Sequence, residues 1–267
     1  MAGKFAGKTA LITGGSSGIG LGIALELCRQ GARLALLGRN PSKLEEAAGK
    51  IKALGGEVHC LSADVGEIQE LEKAVEQTLD RLGSLDMAIA SAGVSVRSRF
   101  METSPAILEQ VMRTNFFGVA NLARFTLPHL EKTRGSLVAI SSLAGRRGVP
   151  EYSAYGASKF AVQGLLDSLR MEVALLGIHV GVVSTGFVDT PLRNQVLGGN
   201  GSVLPDSTKL PFRLWPLETC VKMTINLIEK RKREALLPWF VRPLFAFDVA
   251  TGGKLGDRYL GRKFGIS

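Results

Sequence analysis

Thr13-Gly14-Gly15-Ser16-Ser17-Gly18-Ile19-Gly20 is the stretch that decides the fold. It follows a short apolar run, Thr9–Ile12, and leads directly into an amphipathic stretch, Ile19–Gln30. A strand that turns on glycines into a helix is the opening unit of a parallel α/β sheet. Gly14, Gly18 and Gly20 allow a tight turn and put no Cβ in the way of a bound group. Ser16, Ser17 and Ile19 complete the turn, where the free N–H groups and positive dipole end of the helix receive an anion. The pyrophosphate of a dinucleotide fits such a cradle. The motif is weak by itself, because a plain strand–helix turn is also glycine-rich.

Working outward, the same alternation continues. Strand-like runs fall at Thr9–Ile12, Arg33–Leu37, Glu57–Ser62, Met87–Ala90, Ser136–Ile140 and His179–Val183, with a short seventh at Ala235–Leu237. Helix-like stretches fall between them at Ile19–Gln30, Pro41–Leu54, Glu67–Leu82, Pro105–Glu131, Ser153–Leu176 and Leu217–Lys230. The spacing predicts one α/β domain over residues 1–267: a doubly wound parallel sheet of about seven strands with helices on both faces. Ligands of such sheets sit at the carboxyl ends of the strands. Residues 190–216 break the periodicity with Pro191, Pro205, Pro211, Pro216 and the run Gly198-Gly199-Asn200-Gly201. Following the sixth strand, they read as a lid over the site or as a surface excursion. Residues 235–267 form a C-terminal extension.

A chain of 267 residues with 45% hydrophobic content buries an ample core. No apolar run approaches the roughly 18–20 residues of a spanning helix. The early first strand leaves no room for a signal peptide. Cys28, Cys60 and Cys220 read as free thiols of a reducing compartment, and the protein as cytoplasmic. His59, His129 and His179 show no metal-ligand spacing, and no metal is expected. The net charge is +9. Its densest run, Lys230-Arg231-Lys232-Arg233, reads as a solvated helix end that complements the dipole. The run also precedes Leu236-Leu237-Pro238-Trp239-Phe240 and Leu244-Phe245-Ala246-Phe247, and a basic, aromatic segment suits peripheral contact with an anionic membrane. No recognition motif accompanies the charge, which argues against nucleic acid.

The end of the second strand bears on the cofactor. An acidic residue there would accept from a ribose 2′-OH; this chain has Gly38-Arg39-Asn40. A guanidinium matches a 2′-phosphate, so NADP(H) is predicted over NAD(H). Asp64 ends the third strand, where it either accepts from the adenine amino group or caps a turn. Further on, Tyr155 and Lys159 stand one helical turn apart, 13 residues after Ser142. A phenol ionises near pH 10, and a cation at i+4 is expected to lower that value toward the working range. Tyr155 then exchanges the proton of a carbonyl or alcohol oxygen, while Ser142 stabilises the developing charge.

Thr-Gly-x-x-x-Gly-x-Gly, then a Ser, then Tyr-x-x-x-Lys, resembles the short-chain dehydrogenase/reductase superfamily of the ordinary short type, from about Lys8 to Pro238. The resemblance implies a Rossmann fold and a catalytic set of Ser142, Tyr155, Lys159 and Asn115, with Lys159 also holding the nicotinamide ribose and Asn115 supporting a water path. It places Asp64 and Val65 at the adenine, Ala92 and Gly93 beside the cofactor, and Gly186, Val188 and Thr190 near the nicotinamide. It also implies a homodimer or homotetramer built on the long helices around Asn115 and Lys159. Two departures stand out: Ala90-Ser91-Ala92-Gly93 in place of Asn-Asn-Ala-Gly, and Thr185 in place of the Pro of Pro-Gly-x-x-x-Thr.

The predicted pocket wall draws on Leu143, Val149, Tyr152 and Phe187, with Leu192 and Val196 from the lid, and is mostly apolar. A lipophilic ketone or secondary alcohol, a long-chain keto-lipid or a steroid-like molecule, is the expected substrate; parts of the chain resemble reductases of 3-keto sphingoid bases. Two alternatives stay open. One is a 3-oxoacyl-thioester reductase whose basic surface meets an acidic carrier protein. The other is an NADP(H)-binding sensor or interaction subunit without turnover, which retention of both Tyr155 and Lys159 disfavours.

Overall fold

A computed structural model describes residues 3–205 and 212–265. Seven strands, β1 (Thr9–Thr13), β2 (Arg33–Gly38), β3 (Val58–Ser62), β4 (Met87–Ala90), β5 (Ser136–Ser142), β6 (His179–Thr185) and β7 (Glu234–Leu237), form one sheet in the order β3-β2-β1-β4-β5-β6-β7. Every pairing is parallel.

Their apolar runs are continuous because both faces are covered. Leu11, Ala35, Leu37, Ala88, Leu137 and Val182 pack to one side, against α3 (Ile68–Leu82), α5 (Gly118–Thr133) and α6 (Ser153–Glu172). Their strand neighbours Ala10, Ile12, Leu34, Leu36, Ile89 and Val138 pack to the other, against α1 (Gly18–Arg29), α2 (Pro41–Lys52) and α7 (Leu217–Glu229). This is the period-two alternation of a strand, used twice over.

Several predicted elements are corrected. The single helix read over Pro105–Glu131 is α4 (Pro105–Met112) and α5, joined by a π-helical turn, Arg113–Phe117. An apolar pattern continues through such a turn, so periodicity conceals it; π turns gather at functional sites. The helix read to Leu176 ends at Glu172, followed by a 3₁₀ turn, Ala174–Leu176. The C-terminal extension forms a hairpin of two helices, α8 (Val241–Ala250) and α9 (Lys254–Lys263). Among the described residues, no helix is long and apolar enough to cross a membrane.

The four residues of the basic run are exposed, and three of them also make hydrogen bonds. Arg231 donates to the carbonyls of Arg134 and Gly177, Lys232 to Asn226, and Arg233 to Asp167. Arg134 and Gly177 are the left-handed caps of α5 and of the 3₁₀ turn, where unpaired carbonyls collect. His179 is also structural: buried, it donates from Nε2 to the Lys232 carbonyl and accepts at Nδ1 from Ser136, and burial lowers its pKa. Burial raises all three cysteine thiols, Cys220 to about 12, which leaves them unreactive.

Within 190–216, a 3₁₀ turn covers Pro191–Gln195. Leu197 then bridges Val96 and Val203, and Trp215 bridges Val188. Leu197 bonds to Ser95 and Arg97, and the Gly199 carbonyl accepts from Ser104, so this part of the proposed lid is fastened to the loop after β4. Residues 206–211, with Pro211, lie outside the described residues, as do Ile266 and Ser267 of the extension.

Candidate active site

The order in which strands are added reverses between β1 and β4, and the crevice there is walled by the turns that follow these two parallel strands. Thr13 Oγ1 accepts from the N–H groups of Ser91 and Ala92 at 3.1 and 3.2 Å, and so joins the two turns. These two bonds support the backbone at Ser91 and Ala92, where the chain departs from Asn-Asn-Ala-Gly. Gly14 has φ +65°, and a Cβ there would lie 2.8 Å from Ala92 N. A Cβ on Gly20 would lie 2.3 Å from the Gly14 carbonyl oxygen. These two glycines therefore make room for the protein's own backbone first. Gly20→Ala is expected to cost about 1–3 kcal/mol of stability and to weaken dinucleotide binding. Thermal melts and a fluorescence titration check this, and an unchanged Tm and affinity would count against it.

The turn fits a dinucleotide on structural grounds. Ser17, at the N-cap of α1, makes no side-chain capping bond, and no acidic residue occupies the first turn. The leading N–H groups are thus left for a phosphate. Gly14, Ser16, Ser17, Gly18 and Ile19 line a cavity of about 840 Å³ that continues past Arg39, Asn40, Asp64, Val65, Ala92 and Gly93. Lys43 lines it too, a second cation that the motif reading missed although it stands one turn into α2. Asn40 caps α2, its Oδ1 accepting from Lys43 N at 3.1 Å. Asp64 accepts from Gly66 N through Oδ1, which is the turn-capping alternative, and turns Oδ2 toward Arg39 at 3.6 Å.

At the other end of the cavity stand Ser142 and Tyr155. Ser142 closes β5 and accepts from Ala144 N at 3.1 Å, leaving its hydrogen for the Tyr155 phenol. Burial pushes that phenol up to about 12; the bond to Ser142 works the other way, and Tyr152 adds a smaller upward push. The expectation that Lys159 brings Tyr155 toward neutrality is therefore corrected. Lys159 is itself 5% exposed, and burial lowers its amine to about 8. Its Nζ donates to the Ile140 carbonyl at 3.1 Å and stands 5.8 Å from the centre of the Tyr155 ring. Burial sets the direction of the phenol's shift.

Lys159 is placed by close packing. A Cβ on Gly145 would meet Lys159 backbone oxygen at 2.7 Å, so the 3₁₀ turn Leu143–Gly145 lies directly on α6. Asn115, in the π turn, is fully buried behind the cavity wall. Its Oδ1 accepts from Val94 N at 2.9 Å, and its Nδ2 donates to Val94 O and Ser158 Oγ at 3.0 Å. A Cβ on Gly93 would come within 3.2 Å of Asn115 Oδ1 and 3.8 Å of Lys159 Nζ, so these three residues converge.

All six predicted pocket residues, Leu143, Val149, Tyr152, Phe187, Leu192 and Val196, line the cavity, as do Gly186, Val188 and Thr190. Tyr152 makes edge-on ring contacts with Tyr155, Phe187 and Phe264 at 6.1–6.3 Å, and Phe212 stacks on Phe187 at 5.9 Å. Phe212, Phe264, Val241 and Asp248 escaped the sequence reading, and Leu244 and Phe245, read there as part of a membrane-contact segment, line the cavity with the rest of the α8 stripe Val241, Leu244, Phe245 and Asp248. Their i, i+3, i+4, i+7 spacing was the available signal.

Residues 8–199 match the short chain dehydrogenase family. The chain belongs to that family. It is 32% identical over 249 residues to the 11-beta-hydroxysteroid dehydrogenase-like protein 4A of Arabidopsis thaliana, covering 91% of this chain and 80% of the relative. It is 36% identical over 191 residues to the 3-ketodihydrosphingosine reductase of Bos taurus, covering 69% of this chain and 58% of that one. A short chain dehydrogenase/reductase of Burkholderia phymatum, solved in complex with NAD, shares the fold with a TM-score of 0.83 at 22% identity, over 93% of this chain and 96% of its own. The protein is thus a short-chain dehydrogenase/reductase, an oxidoreductase acting on alcohol and ketone groups.

Proposed function

We propose that this enzyme is an NADP(H)-dependent carbonyl reductase of a lipophilic ketone, a long-chain keto-lipid or a steroid-like molecule. The observation that carries the substrate class is the wall beside Tyr155, where Tyr152, Phe187 and Phe212 line the cavity as one aromatic cluster, with Phe264 packed against Tyr152 and Phe212. Arg39 and Lys43 at the far end support the 2′-phosphate form of the cofactor.

When bound, the reduced nicotinamide supplies hydride to the carbonyl carbon. Ser142 and Tyr155 hold the carbonyl oxygen between them, and Tyr155 gives it a proton. A phenol near 12 is protonated at neutral pH, which is the state needed for reduction. Lys159 stabilises the phenolate left behind and, with Asn115, belongs to the route that returns the proton. The α1 N-terminus holds the pyrophosphate, and Gly186, Val188 and Thr190 bound the nicotinamide end.

Lys159 is a cation below about 8 and neutral above it. Reductive kcat/KM is expected to be full below that pH and to fall as pH rises through it. A profile that is flat from neutral to mildly alkaline pH would remove Lys159 from this role.

The deciding assay follows the absorbance of NADPH, with NADH in parallel, against aliphatic, steroidal, 3-keto sphingoid and acyl-thioester carbonyls. Turnover of a free lipophilic ketone with NADPH supports the proposal; a requirement for a carrier-linked thioester would replace it with the 3-oxoacyl reductase. Assembly as a homodimer or homotetramer through α5 and α6 belongs to the same proposal. Phe117, just before α5, and Phe160, on α6, stand exposed there. A peripheral membrane contact through the C-terminal segment belongs to it too.

A further inference from the structure

The helices of the C-terminal hairpin wall the cavity along one stripe and expose apolar side chains beside it. Toward the cavity, α8 presents Val241, Leu244, Phe245 and Asp248, and α9 presents Gly256, Tyr259 and Leu260. Beside that stripe, Phe247 and Val249 stand on its two flanks, two residues apart on α8, and are 59% and 78% exposed; Leu255 is 50% exposed and Trp239, just before α8, is 78% exposed, and none of the four lines the cavity. Helix α8 has no buried residue at all. So much exposed apolar surface on one short element marks an interaction site.

The charges say what the site meets. The hairpin's two carboxylates both face Arg147, which follows the Ser142 turn. Arg147 Nε pairs with Asp248 at 3.0 Å, and its Nη2 pairs with Asp257 at 2.7 Å and donates to the Gly253 carbonyl at 2.8 Å. That clamp holds the hairpin over the cavity and offsets one of its two negative charges, which the hairpin's five cations outnumber. Arg242, Lys254, Arg258, Arg262 and Lys263 remain, and none has an ion-pair partner among the described residues. Lys254, Arg258 and Arg262 lie at i, i+4, i+8, one stripe of α9. Exposed tryptophan, phenylalanine and aliphatic side chains flanked by unopposed cations complement an anionic bilayer.

We infer that the α8–α9 hairpin rests on an anionic lipid surface and that its inner side, which walls the cavity, admits substrate from that bilayer. The substrate half rests on the lipophilic-ketone reading; the docking half does not, because binding is read without turnover. The exposed apolar residues flank the stripe that walls the reacting pocket, so the surface that meets lipid adjoins the cavity and a bilayer-dissolved ketone reaches Tyr155 without crossing water.

The test uses the full chain and vesicles of phosphatidylcholine with phosphatidylserine, against phosphatidylcholine alone. Co-flotation is expected only with the anionic vesicles and is expected to weaken with salt. Arg242→Gln/Lys254→Gln/Arg258→Gln is expected to reduce partitioning on the order of 100-fold, at about 1 kcal/mol per cation. Phe247→Ser/Val249→Ser is expected to reduce it while leaving turnover of a small water-soluble ketone unchanged and lowering that of a vesicle-dissolved long-chain ketone. No flotation with anionic vesicles, or flotation indifferent to both variants, overturns docking. A dimer that Phe247→Ser/Val249→Ser turns into monomer, without vesicle binding, assigns the surface to a second copy and also overturns it. Flotation with equal effects on both ketones keeps the docking and overturns entry from the bilayer.

Discussion

Tyr155→Phe is expected to bind the dinucleotide with unchanged affinity and to lose about 10²–10⁴-fold in kcat, the usual contribution of a positioned general acid. The substitution keeps the ring and its edge contact with Tyr152 at 6.3 Å, so the pocket keeps its shape. It removes one oxygen, and with it the bond to Ser142 and the only phenol so placed. Tyr152 cannot stand in. It is 6% exposed and packed among Phe187 and Phe264, burial raises its phenol, and its own i+4 position is Gly156, so no lysine lies below it. Losing one buried hydrogen bond costs roughly 1 kcal/mol, too little to unfold the domain. Dinucleotide titration, single-turnover kinetics and a thermal melt separate the effects. Wild-type turnover in the variant would show that another group donates the proton, with Ser142 the next candidate. Tyr152→Phe serves as the control, expected to change KM with little change in kcat.

The proposed catalytic set was legible as a constellation because its chemistry needs fixed spacings. The strand that ends in Ser142, and a helix that carries Tyr155 and Lys159 one turn apart, leave few arrangements once the sheet order follows from βαβ connections. The glycine turn was legible for the same reason, though only the coordinates assign Gly14 and Gly20 to backbone-on-backbone contact.

What stayed hidden depends on distance in the chain. Thr13 supports Ser91 and Ala92 from 78 and 79 residues away, and Asn115 grips Val94 through a π turn that leaves the apolar period undisturbed. Arg147 meets Asp248 and Asp257 across more than a hundred residues, so nothing local marks its clamp. The balance between burial and Lys159 at the Tyr155 phenol was misjudged for a related reason. Sequence spacing gives a charge's proximity, whereas desolvation needs every neighbour in space.

Arg39→Asp is expected to shift the NADPH-over-NADH preference, measured as the ratio of kcat/KM values, by roughly 100-fold toward NADH, the scale of one or two charge-assisted hydrogen bonds. Strand β2 ends at Gly38, where a carboxylate would otherwise receive a ribose 2′-OH, and the guanidinium of Arg39 follows at once on the cavity wall. Its side chain is 61% exposed, so its attraction for a 2′-phosphate should weaken as salt is added. The Asp64 carboxylate lies 3.6 Å from the guanidinium. In the variant this partner becomes a liability, because two carboxylates then face the 2′ position and both repel a phosphate. Lys43 remains one turn into α2 and should preserve a residue of NADPH affinity, so Arg39→Asp/Lys43→Ala is expected to go further than the single change. Arg39→Lys should retain the preference in weakened form, since an ammonium offers a point charge without the planar fork. An unchanged preference in Arg39→Asp would mean that the 2′-phosphate is recognised elsewhere or not at all, and the NADP(H) assignment would fall while the Tyr155 chemistry stood.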